Sequence, residues 1–397
     1  MGRLENAGLT TGDVVAVALP PGREWLEIVT EVWEAGAALL PVDVRVPEPE
    51  FTTLALSAKP TVVLSPNGWE RSGDGEPADR GVALIVHTSG TGGQPKLAQF
   101  ARSAVDAAVA ASALALEATP RDAWLSCLPL AHVGGLLVVL RAVLLGAPVV
   151  VHEGFDVQGF AAERGTTFTS LVPTMLPRLL DAQVDLTRYR AILIGGARLP
   201  AEHADRARAA GAHVVETYGL TESFGGVIYD GRPLPGVQMR IDADGGIELH
   251  GPTLMLGYRF DVEASQRAFT DDGWLRPGDA GEIDSGGRLH VIGRFDERIN
   301  TGGEKVWPEE VENALRGHPK VRDVGVGGRL DPEWGERVVA FVVPVDPADP
   351  PTLEELRDAA ARSLPRYRAP RELVLVQELP RTGSGKLRRV ALPGGGE

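Results

Sequence analysis

The sequence predicts an α/β protein: a large N-terminal domain of mainly parallel sheets flanked by helices plus a β region, with a small C-terminal α+β domain. Three observations carry this expectation. From Asp13 to Glu222, short apolar runs of buried-strand length alternate with helical patterns. From Gly236 the alternation gives way to paired short strands around glycine-containing turns. After Asp296 comes a compact unit of helices and strands.

The chain has 397 residues, 43% of them hydrophobic, enough to bury at least one large core. A formal net charge of −14 argues against nucleic acid as the main partner. The single cysteine, Cys127, excludes an internal disulfide and a cysteine-rich metal site; it reads as buried packing and fits a reducing cytoplasm. The longest apolar stretch, Val133 to Leu145, is broken by Arg141, so no integral membrane segment is expected. The first residues hold no apolar signal core, and the expected location is cytoplasmic. The 48 glycines and 30 prolines fall at turn positions, as in a loop-rich α/β enzyme.

Taken in order, Asp13 to Leu19 reads as a buried strand. Trp25, Ile28, Val29, Val32 and Trp33 recur at helical spacing within Glu24 to Ala38. Ala37 to Val42 and Thr61 to Leu64 are further strands, and Pro66 to Arg80, rich in Gly, Pro and charge, is an exposed loop. Val82 to Val86 is a strand leading through a loop into an alanine-rich helix that starts near Arg102. Strands are expected at Asp122 to Leu128, Val149 to His152, Thr167 to Val172, Ala191 to Ile194 and His213 to Glu216. Helices lie between them at Leu136 to Leu145, Met175 to Leu180 and Pro200 to Ala210. Hairpins pair Gln238 to Ile241 with Gly246 to His250, and Gly281 to Asp284 with Arg288 to Ile292. Pro308 suits the first turn of the helix Glu309 to Arg316. Strands follow at Val321 to Val326 and Val338 to Val343. Thr352 and Glu355 form a capping-box pattern for a helix to Leu364. The boundary at Asp296 divides the chain into domains 1–295 and 296–397.

The stretch Val86 to Leu97, VHTSGTGGQPKL, organises the rest. Thr88, Ser89, Gly90, Thr91, Gly92 and Gly93 put three hydroxyls and three glycines side by side, and Lys96 follows. Glycines let backbone N–H groups approach an anion, hydroxyls add donors, and the lysine adds a mobile charge. The pattern suits a nucleotide triphosphate. It is not a Walker A loop, because Leu97 follows Lys96 and the spacing fails. Three further loops at strand ends are candidates for the same site: Gly195-Gly196-Ala197, Tyr218 to Glu222, and Arg276 to Asp279.

Together these stretches resemble the adenylate-forming superfamily of acyl-CoA synthetases, luciferases and peptide-synthetase adenylation domains. TSGTGGQPK is similar to its phosphate loop, YGLTES to its YG-x-TE motif, and GDAGEID to its TGD motif, with Pro277 in place of the threonine. GRFDERINTGGEKVWPEEVE resembles the hinge region and PRTGSGKLRR the C-terminal lysine motif. Five motifs in the family's order cover the chain from about Gly8 to Arg389.

The resemblance implies an ATP-dependent acid–CoA ligase with ATP, Mg²⁺ and coenzyme A. Thr88, Ser89, Gly90, Thr91 and Gly92 then hold the β- and γ-phosphates, with Lys96 as a further phosphate contact or a solvated surface lysine. Thr221 contacts the α-phosphate and Glu222 ligates Mg²⁺. Asp279 accepts the ribose hydroxyls and Arg294 supports the ribose or phosphate. Gly195, Gly196 and Ala197 pack against adenine, and Tyr218, followed by Gly219, covers its other face. Lys386 bridges carboxylate and α-phosphate, and His132 lies near the acyl pocket. Asp296 is the hinge of the C-terminal domain, and Gly302 and Gly303 admit the pantetheine arm or form a plain turn.

The partners implied are a small carboxylic acid, ATP and free CoA, with a homodimer left open. The short stretch SFGGVIYDGRPLPG and an abbreviated first lobe resemble the short actinobacterial o-succinylbenzoate–CoA ligases of menaquinone synthesis. INTGGEKVWPEEVE is closer to general fatty-acyl or aryl-acyl-CoA synthetases, which stay as the alternative, beside a nucleotide-binding protein without catalysis. The second carboxylate of a succinylbenzoate needs a counter-charge, for which Arg198, Arg178 and His132 are candidates.

Overall fold

The computed structural model describes residues 7–45, 53, 57–88, 96–381 and 387–394. By its internal contacts the chain separates into two units, one of residues 1–239 and 249–277, the other of 240–248 and 278–397.

The first unit holds two seven-stranded sheets. The first runs in the order Gly257–Tyr258, Lys96–Ala101, Val82–Thr88, Ala38–Pro41, Val14–Val17, Val62–Ser65, Gly68–Arg71. Its four strands from Val82–Thr88 to Val62–Ser65 run parallel, and the three remaining pairings, two on the Lys96–Ala101 side and one with Gly68–Arg71, are antiparallel. The inner strands are continuous apolar runs because both their faces are covered, as parallel sheets require. Val14, Ala16, Ala38, Leu40, Ile85 and Leu97 form one buried cluster on this sheet. The second sheet is parallel from Val149–Val151 through Trp124–Ser126, Phe168–Leu171 and Ala191–Ile194 to Val214–Leu220. There the chain turns back in the antiparallel strands Gly225–Tyr229 and Arg232–Pro233. The predicted α/β class is therefore the observed one.

Three local expectations are corrected. The segment after the glycine-rich loop is a strand, Lys96–Ala101, before the helix Arg102–Leu116 begins. Leu97, Ala98 and Phe100 are buried because that strand is paired on both sides. Pro66 to Arg80 is not all loop, since Gly68–Arg71 folds back on Val62–Ser65 through a hairpin. The strand expected to end at Glu216 continues to Leu220, so Tyr218 and Gly219 lie on a strand and not in a loop beyond it.

The second unit contains the hairpin Asp279–Ile283 with Leu289–Arg294 and a five-stranded sheet. Its long central pair is Val321–Asp331 and Gly335–Pro344; the edge of Gly335–Pro344 away from Val321–Asp331 carries both Glu372–Leu375, in parallel along Val339–Val342, and, at Gly335, the strand Ile299–Thr301 of the hairpin with Glu304–Val306. The helices Pro308–Arg316 and Leu353–Ala360 bury Val311, Leu315 and Leu356 against this sheet. Pro308 occupies the first helical turn, and Thr352 and Glu355 form the expected reciprocal cap.

Candidate functional site

The glycine-rich loop is closed by Thr88 and Lys96, which face each other across the antiparallel pair of Val82–Thr88 and Lys96–Ala101. Its candidates Ser89, Gly90, Thr91 and Gly92 lie outside the described residues, as does Lys386. Thr88 is buried and Lys96 exposed. The Lys96 ammonium stands over the ring of Tyr258, 4.8 Å from its centroid. The Tyr258 hydroxyl donates to Glu222 Oε1 at 2.6 Å.

Glu222 sits in the single 3₁₀ turn Thr221–Ser223 between two antiparallel strands. The turn is stiffened by Ser223, whose buried hydroxyl receives the Leu220 N–H and donates to the carbonyl of Leu220 or Gly225. Burial first, then the charge and hydrogen bond of Glu222, push the Tyr258 phenol far above its ordinary range, so it stays a neutral donor. Magnesium asks for few carboxylates and takes its other ligands from phosphates and water. Glu222 fits that demand: it is half-buried, with Oε1 oriented by a neutral partner. No group of three or more His, Cys, Asp or Glu that could hold a metal ion is found among the described residues.

Close backbone approach shapes the neighbouring strand ends. A Cβ at Gly195 would lie 2.5 Å from Thr217 Oγ1. Gly196 has φ +83, where glycine is favoured, and Ala197 is exposed after it. Tyr218 and Thr221 are half-buried.

At another strand end, Asp43 holds Arg45 in a two-point pair, 2.8 Å and 2.7 Å. Their charges reach His132, the residue before the helix Val133–Leu145. Loss of hydration lowers the His132 pKa and Arg45 adds to this, against the opposing pull of Asp43. The surroundings of His132 therefore favour the neutral ring in the chain without substrate. Of the other two candidates for the counter-charge, Arg178 spreads its guanidinium over the Phe155 ring at 4.9 Å, and exposed Arg198 lies in the field of Glu216.

In the second unit, Asp279 and Arg294 are directly opposed in the hairpin. Arg294 Nη1 donates to Asp279 Oδ1 at 3.4 Å, while Nε and Nη2 donate to Asp296 Oδ1 and Oδ2 at 3.0 Å and 3.2 Å. Burial works against the Arg294 charge, yet Asp296 and Asp279 outweigh it and hold the guanidinium protonated. Gly302 and Gly303 form the two-residue turn of the next hairpin, with φ +59 and +83. A Cβ at Gly302 would lie 2.7 Å from the Trp334 ring.

Two site residues escaped sequence reasoning. Tyr258 stands on a two-residue strand with no local signature, and its role appears only once that strand pairs with Lys96–Ala101. His87, one residue before Thr88, is 8% exposed, and neither ring nitrogen has a hydrogen-bond partner among the described residues. Burial, reinforced by His132, pushes its pKa down to about 4.

The AMP-binding enzyme family matches residues 2–76 and 65–259, and the AMP-binding enzyme C-terminal domain matches 310–386. The "Probable 2-succinylbenzoate--CoA ligase" of Mycobacterium tuberculosis is 44% identical over 351 residues, 85% of this chain and 90% of that protein. The indoleacetate–CoA ligase of Aromatoleum aromaticum is 34% identical over 454 residues, covering 97% and 89%. Among solved structures, the o-succinylbenzoate CoA synthetase of Bacillus subtilis in complex with its acyl-adenylate intermediate superposes with a TM-score of 0.87 at 27% identity, covering 100% of this chain and 92% of that one. The same synthetase with ATP and magnesium ion gives 0.85, at 27% identity and with coverage of 98% and 91%.

Proposed function

The chain belongs to the AMP-binding enzyme family and is an AMP-forming acid–CoA ligase; on that premise we propose that the acid it activates is 2-succinylbenzoate. The observation that carries the substrate is the 44% identity with a relative named for that acid, extending over 90% of the relative.

The chemistry has two displacements. A carboxylate oxygen of the acid attacks the α-phosphorus of ATP, the bond from that phosphorus to the bridging oxygen breaks, and pyrophosphate leaves. The sulfur of CoA then attacks the acyl carbon, the acyl–phosphate C–O bond breaks, AMP leaves, and the thiol proton passes to solvent. The first step brings two anions together, so it needs donors and positive charge already in place.

In this reading the loop of Thr88, Ser89, Gly90, Thr91 and Gly92 clamps the β- and γ-phosphates, with Lys96 at its closing pair. Thr221 meets the α-phosphate. Glu222 holds magnesium, which when bound neutralises triphosphate charge. Gly195 to Ala197 and Tyr218 with Gly219 enclose adenine. Asp279, oriented by Arg294, receives the ribose hydroxyls. Lys386 supplies charge at the α-phosphate, and Asp296 is the hinge on which the domain 296–397 swings against 1–295. The turn of Gly302 and Gly303 then admits the pantetheine arm. His132 contributes a neutral hydrogen bond to the acid, and Arg198 is the counter-charge for the second carboxylate. Free CoA as acceptor, a homodimer and a cytoplasmic location complete the proposal. No helix among the described residues is long and apolar enough to cross a membrane.

The test is pyrophosphate release with ATP, CoA and a panel of 2-succinylbenzoate, indoleacetate and fatty acids. Turnover highest with 2-succinylbenzoate is expected. Turnover with fatty acids or indoleacetate but not with 2-succinylbenzoate overturns the substrate. ATP binding without turnover of any acid overturns the activity.

A further inference from the structure

We propose that Tyr258 is a positioning residue for the metal-binding carboxylate of Glu222 and ties it to the strand Lys96–Ala101. The inference rests on the reading of Glu222 as the magnesium ligand.

The segment around Tyr258 is fastened on two sides. On one, the Met255 N–H donates to the Glu222 carbonyl at 2.9 Å and the Tyr258 hydroxyl to Glu222 Oε1 at 2.6 Å. On the other, Leu256 N–H donates to the Gln99 carbonyl and Arg259 N–H to the Leu97 carbonyl, each at 2.8 Å, in the strand that leaves the glycine-rich loop. Tyr258 N–H also donates to Ser265 Oγ at 2.7 Å, so the backbone beneath the ring is anchored as well. The carboxylate turn and the loop's exit strand therefore share one clamp, and among the described residues it reaches the carboxylate through the phenol.

The chemistry of that phenol matters. A lysine or arginine bonded directly to Glu222 would compete with a divalent cation for the carboxylate. A neutral hydroxyl orients Oε1 and leaves the negative charge available. Lys96 meanwhile places its charge over the ring face at 4.8 Å and not on the carboxylate. Outer-sphere partners of metal ligands commonly carry a tenfold or larger share of metal affinity.

Tyr258→Phe keeps the ring and its contact with Lys96 and deletes the hydroxyl alone. The expected result is a roughly tenfold weaker affinity for Mn²⁺, used as the magnesium probe, in the complex with a non-hydrolysable ATP analogue. The magnesium concentration for half-maximal adenylation should rise in parallel, with kcat at saturating magnesium nearly unchanged. Binding of the analogue in chelator should equal that of wild type, and the unfolding midpoint should show that the fold is retained. If Glu222→Gln weakens Mn²⁺ binding while Tyr258→Phe does not, the positioning role is overturned and the metal assignment stands. If neither variant changes Mn²⁺ binding, the metal assignment itself fails and the positioning role fails with it.

Discussion

Gly219 and Gly225 meet backbone to backbone: a Cβ at Gly219 would lie 1.9 Å from the Gly225 carbonyl oxygen and 2.9 Å from Gly226 Cα. The strands Val214–Leu220 and Gly225–Tyr229 approach this closely beside the turn that carries Thr221 and Glu222. The neighbour is main chain, so no side-chain rotation makes room. Gly219→Ala is expected to lose about 3 kcal/mol of stability in urea unfolding. Gly196→Ala is the comparison, because there only the left-handed φ of +83 opposes the change and the nearest atom, Val172 Cγ1, is 3.7 Å away. Its expected loss is about 1 kcal/mol. Equal losses would contradict the close-approach account.

His87 should make stability depend on pH. Its ring is buried, with both nitrogens unpartnered among the described residues, and its pKa is about 4 in the folded chain against an ordinary value near 6.5. Between those values the unfolded chain holds a proton that the folded chain refuses. Stability is therefore full above about pH 6.5 and falls as pH drops towards 4, by a total on the order of 3 kcal/mol. His132, also depressed, adds a change of the same sign. The His87→Phe variant should show a shallower loss between pH 7 and pH 5 in urea unfolding. An unchanged slope would remove His87 as its source.

Arg294 links the proposed ribose ligand to the proposed hinge, touching Asp279 with one nitrogen and Asp296 with two others. A lysine has no planar fork and cannot serve both carboxylates. Arg294→Lys should bind AMP about tenfold more weakly by calorimetry. Asp279→Ala should no longer prefer AMP over its 2′,3′-dideoxy counterpart. Retention of the full preference would exclude Asp279 from the ribose.

Lys386 is expected to act in only one half-reaction. Lys386→Ala should slow adenylate formation by about a hundredfold or more, as for loss of a charge aimed at a transition state. A preformed acyl-adenylate should still pass to CoA at near the wild-type rate. Equal loss of both steps would contradict a domain that swings between them.

Much of the fold was legible because its signals are local. The apolar runs at Val14–Val17, Val82–Thr88 and Ala191–Ile194 are buried strands, as their composition predicts. Thr352 Oγ1 accepts from the Glu355 N–H at 3.2 Å, and Glu355 Oε2 from the Thr352 N–H at 2.7 Å, the reciprocal cap that the spacing of the two residues foretells. Where the reading missed, a partner distant in sequence decided. Lys96–Ala101 is a strand because strands on both sides pair with it, and the second of these comes from Gly257–Tyr258. Gly68–Arg71 has a strongly polar sequence and becomes a strand only against Val62–Ser65.

The same division runs through the candidate site. The sequence by itself determined its inventory: the crowding of hydroxyls and glycines after Thr88, the acidic turn at Glu222, and the carboxylates at Asp279 and Asp296. Those are properties of residue type and spacing along one stretch of chain. The tertiary structure alone decided which of them meet. Lys96 over Tyr258, Tyr258 on Glu222, and the burial of His87 depend on strand register and packing between segments far apart in the chain. Register is set by the whole sheet's packing, and no local period encodes it.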